Sequence, residues 1–204
     1  MTIEPTTRRG LNTRTKIIRA GRQVFAREGF VAAKMSDVVA LSGQSTGSVY
    51  RYFRNKEDLF SAVVGDIHEE LFQLSRSPGH DFASEPYEAL LEANRGYLAH
   101  YSQNRDVMRS FMEAAAVDPR FRETLWMMRR RHVDRFLNSL RRHQGVKEVS
   151  GVDATIAAEA MACMMEHCAY VWFGHEELRQ DVVEVETAAR LLTRTWYRTF
   201  FGAS

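Results

Sequence analysis

The sequence predicts an all-α fold: a small N-terminal three-helix unit with a helix-turn-helix, then a larger C-terminal helical body, about nine helices in total. Three observations predict it. Apolar residues recur at three- and four-residue spacing along most of the chain. The composition favours helix, with only four prolines in 204 residues and plentiful Ala, Leu, Met, Glu and Arg. Basic charge also gathers at one end. Through Phe60, eleven Lys/Arg stand against five Asp/Glu, a net of +6, which leaves 17 against 21, a net of −4, for the remainder. Such asymmetry points to a polyanionic partner for the N-terminal part.

Residues 1–11 read as a flexible, polar arm containing a Pro and a Gly. A helix follows from Asn12 or Thr13, with Ile17, Gly21, Val24 and Phe25 as its apolar stripe and Gly29 ending it. Met35, Val38, Val39 and Leu41 then put apolar groups on one side of a short second helix. Gly43 supplies a sharp turn, and Ser45 is a good N-cap for a third helix in which Val49 and Phe53 face inward. The other face of that third helix carries Gly47, Ser48, Tyr50 and Arg51, which do not belong in a core. Two helices joined by a tight glycine turn, the second polar and basic outside, describe a reader of the DNA major groove. The DNA-binding domain is therefore expected over residues 12–56, connected through helix 56–75 to a body over 76–204.

These residues also resemble a known family. The run from Gly43 to Phe53, GQSTGSVYRYF, with Lys56-Glu57-Asp58-Leu59 after it, is similar to the recognition segment of the TetR family of bacterial regulators. Phe25 to Phe30, FAREGF, resembles the end of that family's first helix. The resemblance covers roughly the first third of the chain. Two positions depart from the family pattern: Lys34 and Met35 stand where a hydroxyl residue usually opens the second helix, and Gln44 stands where Val often follows the turn glycine.

The start of the third helix should read bases. Gln44, Ser45, Thr46 and Ser48 offer short or medium hydrogen-bonding groups, and Gln can serve adenine bidentately. Gly47 leaves room for close backbone approach. By the resemblance, Tyr50, Tyr52 and Lys56 would grip phosphates, with Lys34 and Ser36 joining from the helix before. Two readings stay open here: Tyr52 as packing beside Phe53, and Arg51 on guanine or on phosphate.

Asn55 caps the connecting helix, with Asp58 placed to complete a box-like cap. This helix carries Leu59, Phe60, Val63, Val64, Ile67 and Leu71, and reads as the rod joining reader to body. After a linker over 75–84, helices are expected from Pro86 to about Asn104, around Phe111, and from Asp118-Pro119 to near Gly145, the last crowded with arginines that read as a solvated face. Asp153 caps a helix that is apolar nearly all round and needs cover on two sides. A final helix runs from Val183 to Phe201.

The resemblance implies an effector pocket and a two-fold dimer made by the last two helices. Candidate pocket residues are Tyr97, Met108, Phe111, Met112, Trp126, Met164, His167, Cys168 and Trp172, the thioethers suiting an adaptable, apolar small-molecule effector. Ordinary core filling is the alternative for most of them. Candidate interface residues of the homodimer are Ile156, Ala160, Met161, Leu191, Leu192, Thr195 and Trp196. The expected partners are thus a double-stranded DNA operator, a small effector and a second copy.

No catalytic residue, cofactor or metal is nominated, and an enzyme is not expected. The sequence lacks a Gly-rich phosphate loop, a G-x-S-x-G elbow and an HExxH. Cys163, His167 and Cys168, with Glu166 and His175 near, form the one cluster of reactive types, and a Cys/His metal-binding or catalytic helical protein is the distant rival. A DNA-binding architectural protein without an effector is the nearer one. No apolar run reaches the ~20 residues of a membrane span, no signal peptide is evident, and two cysteines five apart in one helix cannot pair with each other, so the chain is expected to be cytoplasmic.

Overall fold

A computed structural model describes residues 6–175 and 180–202. Among the described residues the fold is all-helical apart from one two-residue hairpin. The helices are α1 (Arg8–Ala32), α2 (Met35–Ser42), α3 (Thr46–Tyr52), α4 (Lys56–Leu74), α5 (Pro86–Gln103), α6 (Arg105–Val117), α7 (Pro119–Gln144), α8 (Ala154–Ala169) and α9 (Val185–Phe201). Tyr170–Gly174 continues α8 as a wider π-helical turn. The antiparallel strands β1 (Glu148–Val149) and β2 (Val152–Asp153) make the hairpin that joins α7 to α8.

Most boundaries carry the local chemistry that fixes them. Gly43 leaves α2 in the left-handed region at φ 64, which a side chain would resist. The Ser45 hydroxyl accepts from Ser48 N at 3.2 Å and opens α3, and Asn55 Oδ1 accepts from Asp58 N at 2.8 Å and opens α4. The Asp58 carboxylate does not complete the box; it pairs with Arg54 at 2.8 Å. Asp118 and Asp153 cap α7 and α8 through the backbone N–H groups of Arg120 and Thr155. The arm is shorter than expected. Thr7 accepts from Gly10 N at 3.1 Å and starts α1 at Arg8, four residues before the expected start at Asn12. Residues 1–5 of the arm lie outside the described residues. Leu41 departs from its expected inward face and is exposed.

Reader and body share one core. Phe60 of α4 lies with its ring centroid 4.7 Å from both Phe25 and Phe30 of α1, 5.3 Å from Phe121 of α7 and 6.5 Å from Phe111 of α6. These rings belong to a cluster that continues through α5 and the π turn into α9. A second cluster at the far end joins Leu90, Val133, Leu137, Leu140, Ala158, Trp196 and Phe200. The elements pack chiefly as α1 on α6, α4 on α1 and α5, α5 on α9, and α7 on α6 and α8.

A polar clasp adds to this. Arg22 of α1 grips the Glu70 carboxylate of α4 with two bonds, at 3.2 and 2.9 Å, and reaches Asn104 Oδ1 at the α5–α6 corner through Nε at 2.9 Å. His100 of α5 meets the same Glu70 carboxylate at 2.9 Å.

The expected solvated arginine face of α7 is largely paired. Arg129 meets Glu166, Arg131 meets Glu69, and Arg130 lies 3.8 Å from Asp134. Arg135 donates to the carbonyls of Phe72 and Ser75 and so satisfies the C-terminal end of α4.

Two glycines make opposite predictions. A Cβ at Gly96 of α5 would stand 2.0 Å from the Leu74 carbonyl oxygen, so α4 and α5 approach closely only because this side chain is absent. Gly65, exposed in the middle of α4, has nothing within 4 Å. Gly96→Ala should therefore lower the unfolding free energy by about 2 kcal/mol or more through overpacking. Gly65→Ala should raise it by about 0.5–1 kcal/mol through helix propensity. Urea denaturation followed by circular dichroism reads both.

Candidate nucleic-acid interface and interior cavity

The third helix presents what the sequence predicts on its outer face. Val49 and Phe53 are buried, which turns Thr46, Gly47, Tyr50 and Arg51 to solvent, with Gln44 and Ser48 half-buried beside them. Ser45 is exposed as a residue while its hydroxyl is spent on capping. Lys34 and Ser36 are exposed at the start of α2, whose N-terminus has no side-chain cap. An uncapped helix start beside a lysine suits a phosphate oxygen. Arg8, Arg9, Lys16 and Arg19 of α1 are likewise exposed.

Two expected phosphate grips are placed otherwise. The Tyr52 ring is 7% exposed and packs in the core with Val49 and Phe53, because α3 is short and must bury nearly every apolar group it has. Lys56 donates to the Val31 carbonyl at 2.9 Å and lies 4.8 Å above the Phe30 ring. It ties the end of α1 to the start of α4, which accounts for a cation in the first turn of a helix where the dipole disfavours it. Arg14, which sequence reasoning passed over, stands 5.4 Å from the Phe53 ring and braces the back of α3.

The body holds a partly open cavity of about 240 Å³ between the segment after α4 and helices α5, α7, α8 and α9. Its wall includes Ser75, Phe82, Asn94, Tyr97, His132, Phe136, Met165, Glu166 and Trp196. Tyr97 is the one expected pocket residue on that wall. Phe111 and Met108 are buried in the shared core instead, and Trp126 is 49% exposed on the surface. Met112, Met164, Cys168 and Trp172 are half-buried and His167 is exposed, none of them on the cavity wall. Their helices do enclose the body, but the faces that meet the lumen differ from the faces the methionines mark. A usable signal existed. His132 interrupts the apolar stripe Phe121, Leu125, Met128, Phe136 and Leu140, and a polar group on a core-facing stripe needs a partner or a lumen.

Of the charged groups on the wall, Glu166 has an ion-pair partner and Arg135 is held by neutral acceptors. Arg129 donates to Glu166 Oε2 through Nε at 2.9 Å and Nη2 at 2.6 Å. Burial raises the Glu166 carboxyl above its ordinary range, with Arg129 pulling against it. Arg135 is drawn down to about 10 by burial and by Arg76 and Arg131 nearby. Asn94 donates to Thr193 Oγ1 at 2.9 Å. Three ring nitrogens, His132 Nε2, Trp196 Nε1 and His68 Nε2, are buried without a hydrogen-bond partner among the described residues, as is the Tyr101 hydroxyl. The His68 and His132 rings meet edge to face at 5.1 Å.

Of the expected interface residues, Ile156 and Leu191 are 59% and 55% exposed. Ala160 is exposed, and Met161 and Thr195 are half-buried. Leu192 and Trp196 are corrected: both are buried in the chain's own core, because α9 directs that side of its stripe at α5 and α7. Ile156, Ala160, Cys163, His167 and Val171 form one outward face of α8 and the turn that follows it. Among the described residues no three of His, Cys, Asp and Glu are grouped to hold a metal. No helix among the described residues is long and apolar enough to cross a membrane.

Comparison with known proteins bears on this arrangement. Residues 17–63 match the family model "Bacterial regulatory proteins, tetR family". The chain is 30% identical over 74 residues to the HTH-type transcriptional regulator TtgR of Pseudomonas putida, which is 36% of this chain and 35% of TtgR. It is 32% identical over 69 residues to the HTH-type regulator YdgC of Bacillus subtilis, 34% and 35% of the two chains. The match thus spans about a third of these relatives. Across the whole fold, the chain resembles the crystal structure of a TetR-like transcriptional regulator from Rhodococcus sp. RHA1, with a TM-score of 0.70 at 21% identity over 94% of this chain and 97% of that one.

Burial lowers His132 to about 3 and His68 to about 4, the charged forms being further disfavoured by Arg131 and Arg135. The unfolded chain takes up these protons near pH 6.5 and the folded chain refuses them, so stability is full above pH 6.5 and falls as pH drops toward 4. Each histidine should remove on the order of 2 kcal/mol across that window. Chemical denaturation at pH 7.5 and pH 4.5 measures the loss, and His132→Phe should diminish it.

Proposed function

Because the chain belongs to the TetR family through its N-terminal unit, we propose that it is a transcriptional regulator. It binds a near-palindromic operator as a homodimer and is released by a small, largely apolar effector in the interior cavity. The carrying observation is the outer face of α3. There Gln44, Thr46, Ser48 and Arg51 stand out from a backbone anchored by the buried Val49, Tyr52 and Phe53. Short polar groups on a fixed helix can reach base edges, and the uncapped start of α2 with Lys34 can hold the neighbouring phosphate. Two such heads related by a two-fold axis would read half-sites about 34–36 Å apart.

The second copy is assigned to the outward face of α8 and α9. Ile156, Ala160, Val171 and Leu191 expose apolar surface there that the chain itself leaves uncovered. A cytoplasmic setting and a repressing role complete the reading. An activating role would need only a different operator position.

Genomic DNA retained by the purified protein and sequenced tests the reading. A shared near-palindromic site beside a few genes is the expected result, whereas retention of unrelated sequences with a specificity ratio near one would favour an architectural protein. On the recovered site, Arg51→Ala should weaken binding by about 1–3 kcal/mol if it reads guanine. Lys56→Ala should act mainly on protein stability. Ile156→Asp combined with Leu191→Asp should yield monomers by sedimentation and lose affinity for the full operator. A dimer that survives both substitutions would move the interface elsewhere.

A further inference from the structure

We propose that the cavity takes a one- or two-ring organic acid, its ring inside among Phe82, Tyr97 and Phe136 and its carboxylate at the mouth on Arg76. This rests on the reading of the cavity as the effector site and adds the chemistry the site selects.

The charges at the mouth define the ligand. Glu166 on the wall is answered by Arg129, whereas no carboxylate among the described residues answers Arg76 or Arg135. The acceptors on Arg135 are the carbonyls of Phe72 and Ser75, which are neutral and leave its charge standing. Arg76 directly follows the Ser75 cap of α4 and is exposed while it lines the cavity, which places it at the opening. Burial first, and then Arg76 and Arg131, draw Arg135 down to about 10, so like charges are gathered here.

The positive rim continues outside. Arg135 and Ser139 line both the cavity and an adjoining surface groove that also holds Arg130, Arg131 and Arg142. Arg131 is paired with Glu69, and Arg130 lies 3.8 Å from Asp134. Arg142 therefore adds another cation without a carboxylate partner among the described residues. Such a rim around an apolar opening attracts an anion and repels a cation.

The placing of these charges also decides how the ligand lies. The interior is bounded mainly by apolar groups such as Leu90, Val133 and Met165, where a carboxylate would lose its water without recompense. At the mouth it keeps water on one side and meets the Arg76 fork on the other, which can take both of its oxygens. The Ser77 and Ser139 hydroxyls on the same wall are further donors. The rings of Phe82, Tyr97 and Phe136 suit an aromatic body through offset and edge contacts. The size fits too: the cavity of about 240 Å³ exceeds the ~150 Å³ that accommodates benzene.

The test titrates the full-length protein calorimetrically at neutral pH with three probes of similar shape: 2-naphthoate, its uncharged methyl ester and the cationic 2-naphthylmethylamine. The acid is expected to bind roughly fivefold tighter than the ester, the upper end for a solvent-exposed ion pair, and the amine weakest. The gap between acid and ester should narrow in about 1 M salt, where screening acts within ~3 Å. Arg76 spends its side chain on no helix end, so its variants should fold. Arg76→Gln should bring the acid close to the ester's affinity and leave the ester unchanged, and Arg76→Glu should put the acid below the ester. Arg142→Gln should leave the acid preferred. Equal binding of acid and ester would overturn the proposal, as would tightest binding of the amine or an acid preference that survives Arg76→Glu. A preference lost in Arg142→Gln and kept in Arg76→Gln would put the anion in the outer groove and overturn it as well. If none of the probes binds a protein that still holds its operator, the ligand class is wrong while the DNA-binding reading stands. If the acid binds as expected and operator affinity does not move, the ligand class stands and the release mechanism falls.

Discussion

Five aromatic rings from α1, α4, α6 and α7 meet at Phe60, and their contact sets where the reading head can be. Phe25 and Phe30 belong to the head, Phe111 and Phe121 to the body, and Phe60 has no solvent exposure between them. Aromatic faces and edges pack in a few discrete ways, with centroids at about 4.5–7 Å, so this junction resists continuous sliding. The head is therefore a part of the core and not a bead on a tether. The Arg22–Glu70–His100 clasp beside it adds direction to an apolar contact that alone has little.

From that junction α4 runs the other way to the cavity. Its start is held by Lys56 on the Val31 carbonyl, its middle by Glu70, and its end by Arg135 on the last carbonyls. The same Arg135 lies against His132, which lines the cavity. Ser75, the C-cap of the helix that carries the head, is thus also part of the cavity wall. Neither fact needs the other for stability. Their nearness along one helix and its cap is what the proposed coupling between an effector and a DNA site would use.

Much of this was legible in the residues, and the exceptions have a common cause. Helix ends were readable wherever a Gly, a Pro or a capping side chain fixes them, as at Gly43, Ser45, Asn55, Asp118 and Gly145, since that chemistry is local. Thr7 was passed over because the apolar stripe begins only at Ile17, so its cap announced a helix that the stripe did not. The outer face of α3 was readable because its inner face is unambiguous. Direction failed on helices with apolar groups on more than one side. On α9, periodicity puts Leu191 and Leu192 in one stripe, and only packing against α5 decides that the first is 55% exposed and the second 2%. The cavity wall is harder still. It is drawn from four helices and the segment after α4, and although its residues keep helical spacing within a helix, no spacing says that these faces meet at one lumen. Lys56 is the instructive case: its unfavourable place in the helix was readable, but the dipole argument alone could not choose between a phosphate and the carbonyl of Val31.

A ligand in the cavity can move the head only by binding one arrangement of α4 better than another. On the wall, Nδ1 of His132 lies near Ser75 and Arg135 at the end of α4. A ligand that displaced this ring would bear on the end of α4. The coupling free energies of allosteric proteins are typically about 1–3 kcal/mol, roughly a five- to 150-fold change in affinity. The nineteen residues of α4 span roughly 28 Å at helical rise. Pinned near its start by the Phe60 cluster, the helix would translate a small tilt at Ser75 into a rotation of the head. In the proposed dimer, two heads matched to half-sites at fixed spacing would tolerate little rotation.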